Sequence, residues 1–264
     1  MIRIGFILTF TAVHVVGSAL LPEGARPGFL LSSHLATKLL AAAGALAAYA
    51  TMRPHDYMRR FWAPLGLSYL LLALSEDSVA VALCPGNVAA GSLLGALALI
   101  SGNLLGVVAS AVLALTYRRA GLATPLGWRG ATAYLLAVLL SVGLVFANLR
   151  HDVGEALAGG GAPSFASAVS YACDALTFVL LVPVLRYTLR LGRSKLSAPW
   201  WAFAASGTGW LLFSALERLQ ISGSPLPSEA LRTLATLLAG LSGLLQIDLV
   251  LEARRQSAGA RTAA

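Results

Sequence analysis

Eight stretches of about 20 apolar residues, each long enough to cross a bilayer core as a helix, leave this chain few ways to fold. They lie at roughly 3–21, 29–51, 61–83, 90–117, 125–149, 167–190, 199–221 and 230–251. In lipid every backbone polar group must be satisfied within the segment, so the reading is all-α: a polytopic membrane helix bundle of about eight transmembrane helices. The connections, such as "PEGARPG", "MRPHDYMRR", "CPGNVAAG" and "AGGGAPS", are short and rich in Gly, Pro and Arg. None is long enough for a soluble domain, so residues 1–252 read as a single transmembrane domain and 253–264 as a short basic cytoplasmic tail. The composition agrees, with 58% hydrophobic and 11% charged residues against about a quarter charged in soluble proteins.

The net charge of +8 raises the question of nucleic acid, but the basic residues form small clusters between apolar spans rather than a patch or a run. They act instead as topology determinants. Fourteen Lys and Arg residues, from Arg3 to Arg261, fall at alternate ends of the spans, and four (Arg26, Arg150, Arg218 and Arg232) fall at the other ends. Both termini are therefore expected on the cytoplasmic side of a bacterial-type inner membrane. The partner is the lipid bilayer, with no nucleic acid; no feature of the sequence bears on oligomeric state. A second reading of the first span is a cleaved signal peptide, with "GSALLP" near the cleavage site. Cys84 and Cys173 lack metal-ligand spacing and read as unpaired structural thiols.

An offset of 141 residues recurs between spans 3 and 7. It places Gly66 on Gly207, Leu70 and Leu71 on Leu211 and Leu212, Tyr69 on Trp210, and Glu76 on Glu217. The same offset carries Ser101 and Gly102 onto Ser242 and Gly243. Four spans per copy give a parallel 4+4 repeat, with halves of about 1–118 and 119–252.

Ionisable residues inside a bilayer are costly and normally face the bundle interior with a partner. Here they are His14, His34 and Lys38, Glu76 and Asp77, Asp174, Glu217 with Arg218, and Asp248, with Asn103 and Gln246 as polar companions. His34 and Lys38 are four apart and share a helix face. Glu76 and Asp77, in "ALSEDSVAV", are successive and so about 100° apart on a helix. One of them, Glu76 by its pairing with Glu217, is expected to enter a shared site, while Asp77 and Arg218 reach the headgroups. Asp248 and Glu252 are expected to pair with Arg254 and Arg255. The four scattered histidines show no H-E-x-x-H pattern, and His55 and His151 read as loop residues. Lys38, Glu76 and Glu217 read either as a buried ion-pair network or as a working site. Two carboxyls beside one ammonium suit acid and base chemistry on a labile bond, and equally suit proton or cation binding in a small transporter or membrane sensor.

This arrangement resembles the lysoplasmalogenase (YhhN-like) family of eight-span integral membrane proteins. "ATKLLAAAG" supplies Lys38, "GLSYLLLALSED" supplies Glu76 or Asp77, "GTGWLLFSALE" supplies Glu217 and "GLLQIDLV" supplies Gln246. In span 4, "SGNLLG" places Asn103 where the family has a histidine. The resemblance implies hydrolysis of the vinyl ether bond of lysoplasmalogen-like lysolipids, with membrane lysolipid as substrate and no metal or organic cofactor. It makes Glu76 and Glu217 the catalytic pair. Lys38 and His34 would meet the phosphate or tune a carboxyl, and Asp77, Asn103, Asp174 and Gln246 would complete the substrate site.

Overall fold

The computed structural model describes residues 2–121, 127–192, 194–219 and 226–262, with side chains as far as 216 in the penultimate helix and 257 in the last. Among the described residues all regular structure is helical: α1 Ile2–Leu20, α2 Arg26–Thr51, α3 Arg59–Leu74, α4 Asp77–Ala82, α5 Val88–Arg119, α6 Trp128–Glu155, α7 Gly161–Leu191, α8 Ala198–Leu219 and α9 Leu226–Thr262. Among the described residues, five helical stretches are long and apolar enough to cross a membrane: Ile2–Leu20, Arg26–Thr51, Val88–Arg119, Trp128–Leu191 and Leu226–Ser257. The 64-residue stretch Trp128–Leu191 is two helices joined by a wide turn at Ala156–Gly160. Gly159 there takes φ 100° and Gly161 φ 74°, a left-handed backbone that glycine adopts without steric cost.

The outward faces suit lipid. Leu135, Leu136, Leu139 and Leu140 of α6 are all more than half exposed, as are Ile2, Ile4, Phe6 and Leu8 of α1, a density of bare apolar surface that water does not tolerate.

Six helices form a closed ring, each packed on the next in the order α2, α3, α5, α7, α8, α9 and back to α2. Helix α1 lies outside the ring against α9 and α2, and α6 lies outside it against α7 and α8. Small residues permit the tightest seam. A Cβ on Gly240 of α9 would meet Ala41 Cα at 3.0 Å and Leu40 O at 3.1 Å, and one on Gly44 of α2 would meet the Gly240 carbonyl. Such backbone-to-backbone approach is what small-residue stripes allow in membrane helices. One end of the ring is filled by an aromatic cluster of Phe61, Trp62, Trp200, Phe203, Tyr117 and Tyr187.

Two sequence expectations are corrected. The span expected at 61–83 is broken: α3 ends at Leu74, Glu76 is extended at φ −62° and ψ 122°, and α4 is a separate short helix. The reason is local, because Ser75 Oγ bonds back to the Leu72 carbonyl at 2.9 Å and competes with helix continuation. His151, expected in a loop, belongs to α6, and at its exposed end contacts Asp152 and Glu155.

Candidate functional site

The break after α3 creates the site. The last carbonyls of a helix have no partner within it, and the Leu72 carbonyl accepts a bond from Lys38 Nζ at 2.7 Å. Lys38, 4% exposed, thus lies at the negative end of the α3 dipole, where a cation is favoured. Its ammonium also contacts Glu76 Oε1 at 2.5 Å. Arg232, from the second turn of α9, reaches the same oxygen at 2.6 Å. One carboxylate therefore joins three ring helices, and with ordinary charges the cluster carries one net positive charge.

The cluster stands on the wall of a half-open cavity of about 430 Å³ inside the ring. All six ring helices and α4 contribute to its lining. Lys38, Glu76, Asp77, Asn103, Asp174 and Arg232 all face it, among a series of serines that includes Ser68, Ser110, Ser206 and Ser214. Opposite the cationic cluster, Ser214 Oγ donates to Asp174 Oδ2 at 2.6 Å. Ser214 is itself held through its carbonyl by the amide of the buried Asn148 of α6. Asn103 Nδ2 donates to the Leu99 carbonyl at 2.9 Å within α5, leaving its carbonyl oxygen uncommitted by that bond. Tyr69 of α3 reaches across toward Ser206 and Trp210 of α8.

Of the residues expected from the sequence, Lys38, Glu76, Asp77, Asn103 and Asp174 are brought to one cavity. Glu76 and Asp77 both line it, contrary to the expectation that only one would, because the chain turns between them instead of continuing as a helix. Glu217 is in the last turn of α8, and its side chain, like that of Arg218, lies outside the described residues. Gln246 does not line the cavity; its Oε1 is buried elsewhere on α9, with no hydrogen-bond partner among the described residues. His34 does not line it either: its Nε2 pairs with Glu229 Oε2 at 2.6 Å. Asp248 and Glu252 are in charge pairs, but with Arg3 at 2.5 Å and Lys195 at 3.0 Å rather than with Arg254 and Arg255. The thiols of Cys84 and Cys173 are free.

Sequence reasoning missed Glu229 and Arg232. Both stand at the start of α9, where a charge is ordinary in a connection, and only their i, i+3 spacing placed them on one helix face. It also read the histidines as scattered, whereas His14, His34 and Glu229 converge, with candidate ligand atoms all within 4.8 Å of one another.

No protein-family model matches this chain, and comparison with curated proteins and with solved structures finds no match either.

Proposed function

We propose that the protein is a membrane-embedded hydrolase of lysolipid-like amphiphiles, acting on the vinyl ether bond of lysoplasmalogens as the resemblance to that family implies. The observation that carries this reading is the single cavity that holds a cationic cluster on one wall and Asp174 on another. Lys38 and Arg232, only partly neutralised by Glu76, suit a phosphate, for which guanidinium and ammonium donors are the usual partners.

The chemistry needs a proton donor, a water and a base. A carboxylic acid delivers its proton to the outer carbon of the vinyl ether, which leaves positive charge on the carbon bonded to oxygen. Water adds there as a carboxylate accepts its proton, and the resulting hemiacetal collapses to a fatty aldehyde and the alcohol of the glycerophospho-base. One water is consumed and the catalytic proton is returned. In this reading Asp174, which accepts a hydrogen bond from Ser214, carries the proton transfer in place of Glu76, and Glu76 organises the two cations. Glu217 enters as a further acid or base on the strength of the sequence alone.

The proposal includes eight membrane crossings in two parallel halves, with both termini cytoplasmic. Two features support it. The first half supplies ring helices α2, α3 and α5 and the second supplies α7, α8 and α9 in the same order, and the outlying helices α1 and α6 occupy matching places in the chain. Tyr69 and Trp210, related by the 141-residue offset, both line the cavity.

The deciding experiment is aldehyde release from a lysoplasmalogen by the purified protein, beside Asp174→Asn and Glu76→Gln and beside an alkyl-ether substrate. Release by wild type alone, from the vinyl ether alone, is expected. A folded wild type that releases no aldehyde overturns the hydrolase reading. It would favour a second one, suggested by a polar cavity between two halves: a small transporter or sensor. Proton-coupled uptake into vesicles that is lost in the same two variants is its mark.

A further inference from the structure

Beside the cavity, and not part of its lining, α1, α2 and α9 bring together two imidazoles and a carboxylate. His14 is 1% exposed and His34 6% exposed. His34 Nε2 lies 2.6 Å from Glu229 Oε2, and His14 Nε2 lies 3.4 Å from the same oxygen. The two rings are 5.4 Å apart, and Phe29 stacks on His14 at 6.0 Å.

Proton counting makes this cluster unusual. Ser33 Oγ has one hydrogen, and it lies 3.0 Å from the Leu30 carbonyl, which can only accept. Ser33 must therefore accept from His14 Nδ1, 2.7 Å away. With the proton on Nδ1, a neutral His14 presents a bare lone pair at Nε2. That nitrogen is fully buried and makes no hydrogen bond among the described residues, yet it faces a carboxylate oxygen that is also only an acceptor when ionised. Two buried acceptors turned toward each other call for a cation between them, either a second proton on the ring or a metal ion.

We propose that His14, His34 and Glu229 bind one divalent transition-metal ion of the zinc class. Two histidines and one glutamate are a common donor set for zinc with a fourth position left for water, and imidazole selects transition metals over magnesium and calcium. Tetrahedral coordination at about 2.0–2.1 Å sets donor atoms about 3.3 Å apart. The His14–Glu229 separation of 3.4 Å already matches, and His34, 2.6 Å from the carboxylate oxygen, needs to withdraw by about 0.7 Å. His34 binds as a neutral imidazole, its proton moving from Nε2 to Nδ1 as the ion enters, so Nε2 is freed for the metal with no net proton release. Ser33 is the positioning residue that fixes the His14 tautomer, as outer-shell hydrogen bonds do at metal sites. The ion clamps α1 to the ring. Lys38, one turn beyond His34, and Arg232, one turn beyond Glu229, add positive charge nearby, and Glu76 between them offsets part of it.

The inference does not depend on the hydrolase reading, and its test uses bound metal rather than turnover. Full-length protein is purified in detergent, stripped with a chelator and titrated with zinc against a chromophoric competitor, with magnesium as a parallel arm. One zinc per chain and a rise in wild-type Tm with zinc but not magnesium are expected. His14→Ala and Glu229→Gln should weaken zinc binding at least about 100-fold. Ser33→Ala, which keeps all three ligands, should weaken it by about 10–100-fold, the usual effect of losing an outer-shell partner. Cobalt bound in place of zinc should show visible ligand-field absorption that His34→Ala abolishes. Wild-type protein that takes up no zinc, or zinc binding that survives both His14→Ala and Glu229→Gln, overturns the proposal. The wild-type titration decides it even where a variant fails to fold.

Discussion

Glu76 and Lys38 meet at 2.5 Å between Oε1 and Nζ because α3 stops two residues before the glutamate. The same interruption that turns Glu76 inward exposes the Leu72 carbonyl that the lysine also binds. Charge pair and helix end form one unit, and the unit predicts how the site fails.

Lys38→Met should cost about 3 kcal/mol of stability, the lower end of what is lost when one partner of a buried pair is removed. Arg232 still contacts Glu76 and limits the loss. Glu76→Gln should cost less when added to Lys38→Met than it does alone, since the lysine that the carboxylate neutralises is then already gone. A double-mutant cycle on thermal unfolding in detergent measures the coupling; strictly additive losses would mean that the two side chains do not interact.

Asp174→Asn should leave folding intact and lower aldehyde release by about 10²–10⁴-fold, the range that a positioned acid or base contributes. The amide keeps the shape, and its oxygen can still accept from Ser214, so Tm should change little. A parallel fall in Tm and turnover would assign Asp174 to structure instead.

Arg3→Ala should be nearly silent. The pair with Asp248 is close at 2.5 Å, but the two side chains are 44% and 52% exposed, and exposed pairs contribute about 0–1 kcal/mol. Unfolding in 0.1 M and 1 M salt checks the point: the variant and wild type should converge as screening removes what the pair contributes.

Much of this architecture was legible in the sequence because lipid imposes a simple length rule on apolar segments. The window at 29–51 and helix α2 at Arg26–Thr51 differ only at one end. What escaped is what depends on distance in the chain. Asp248 finds Arg3 at a separation of 245 residues, and nothing near Asp248 favours that partner over Arg254. Arg232 reads from sequence as a topology charge at the end of span 230–251, and Glu229 falls just outside that span, whereas α9 begins at Leu226 and carries both. The break at Glu76 also escaped, since "LALSEDSVAVA" keeps its apolar content across the turn. Within it, only the serine beside the carboxylate hinted at local competition for backbone bonds.

Two glycines of similar appearance should respond oppositely to the same substitution. Gly143 in α6 has nothing within 4 Å of a built Cβ, whereas Gly240 in α9 has the Ala41 backbone at 3.0 Å and the Leu40 carbonyl at 3.1 Å. Gly143→Ala should therefore stabilise by up to about 1 kcal/mol through helix propensity alone. Gly240→Ala should destabilise by about 1–3 kcal/mol, because an added methyl on a backbone-to-backbone seam cannot be absorbed by a rotamer change. Gly240 also sets the register of α9 on α2, which carry Glu229 and Arg232 on one side and His34 and Lys38 on the other. Spreading the seam separates His34 from Glu229, so Gly240→Ala should weaken zinc binding while Gly143→Ala leaves it unchanged. Thermal unfolding and the zinc titration of both variants test this together, and equal behaviour of the two would mean that the α2–α9 seam does not set the geometry of the charged cluster.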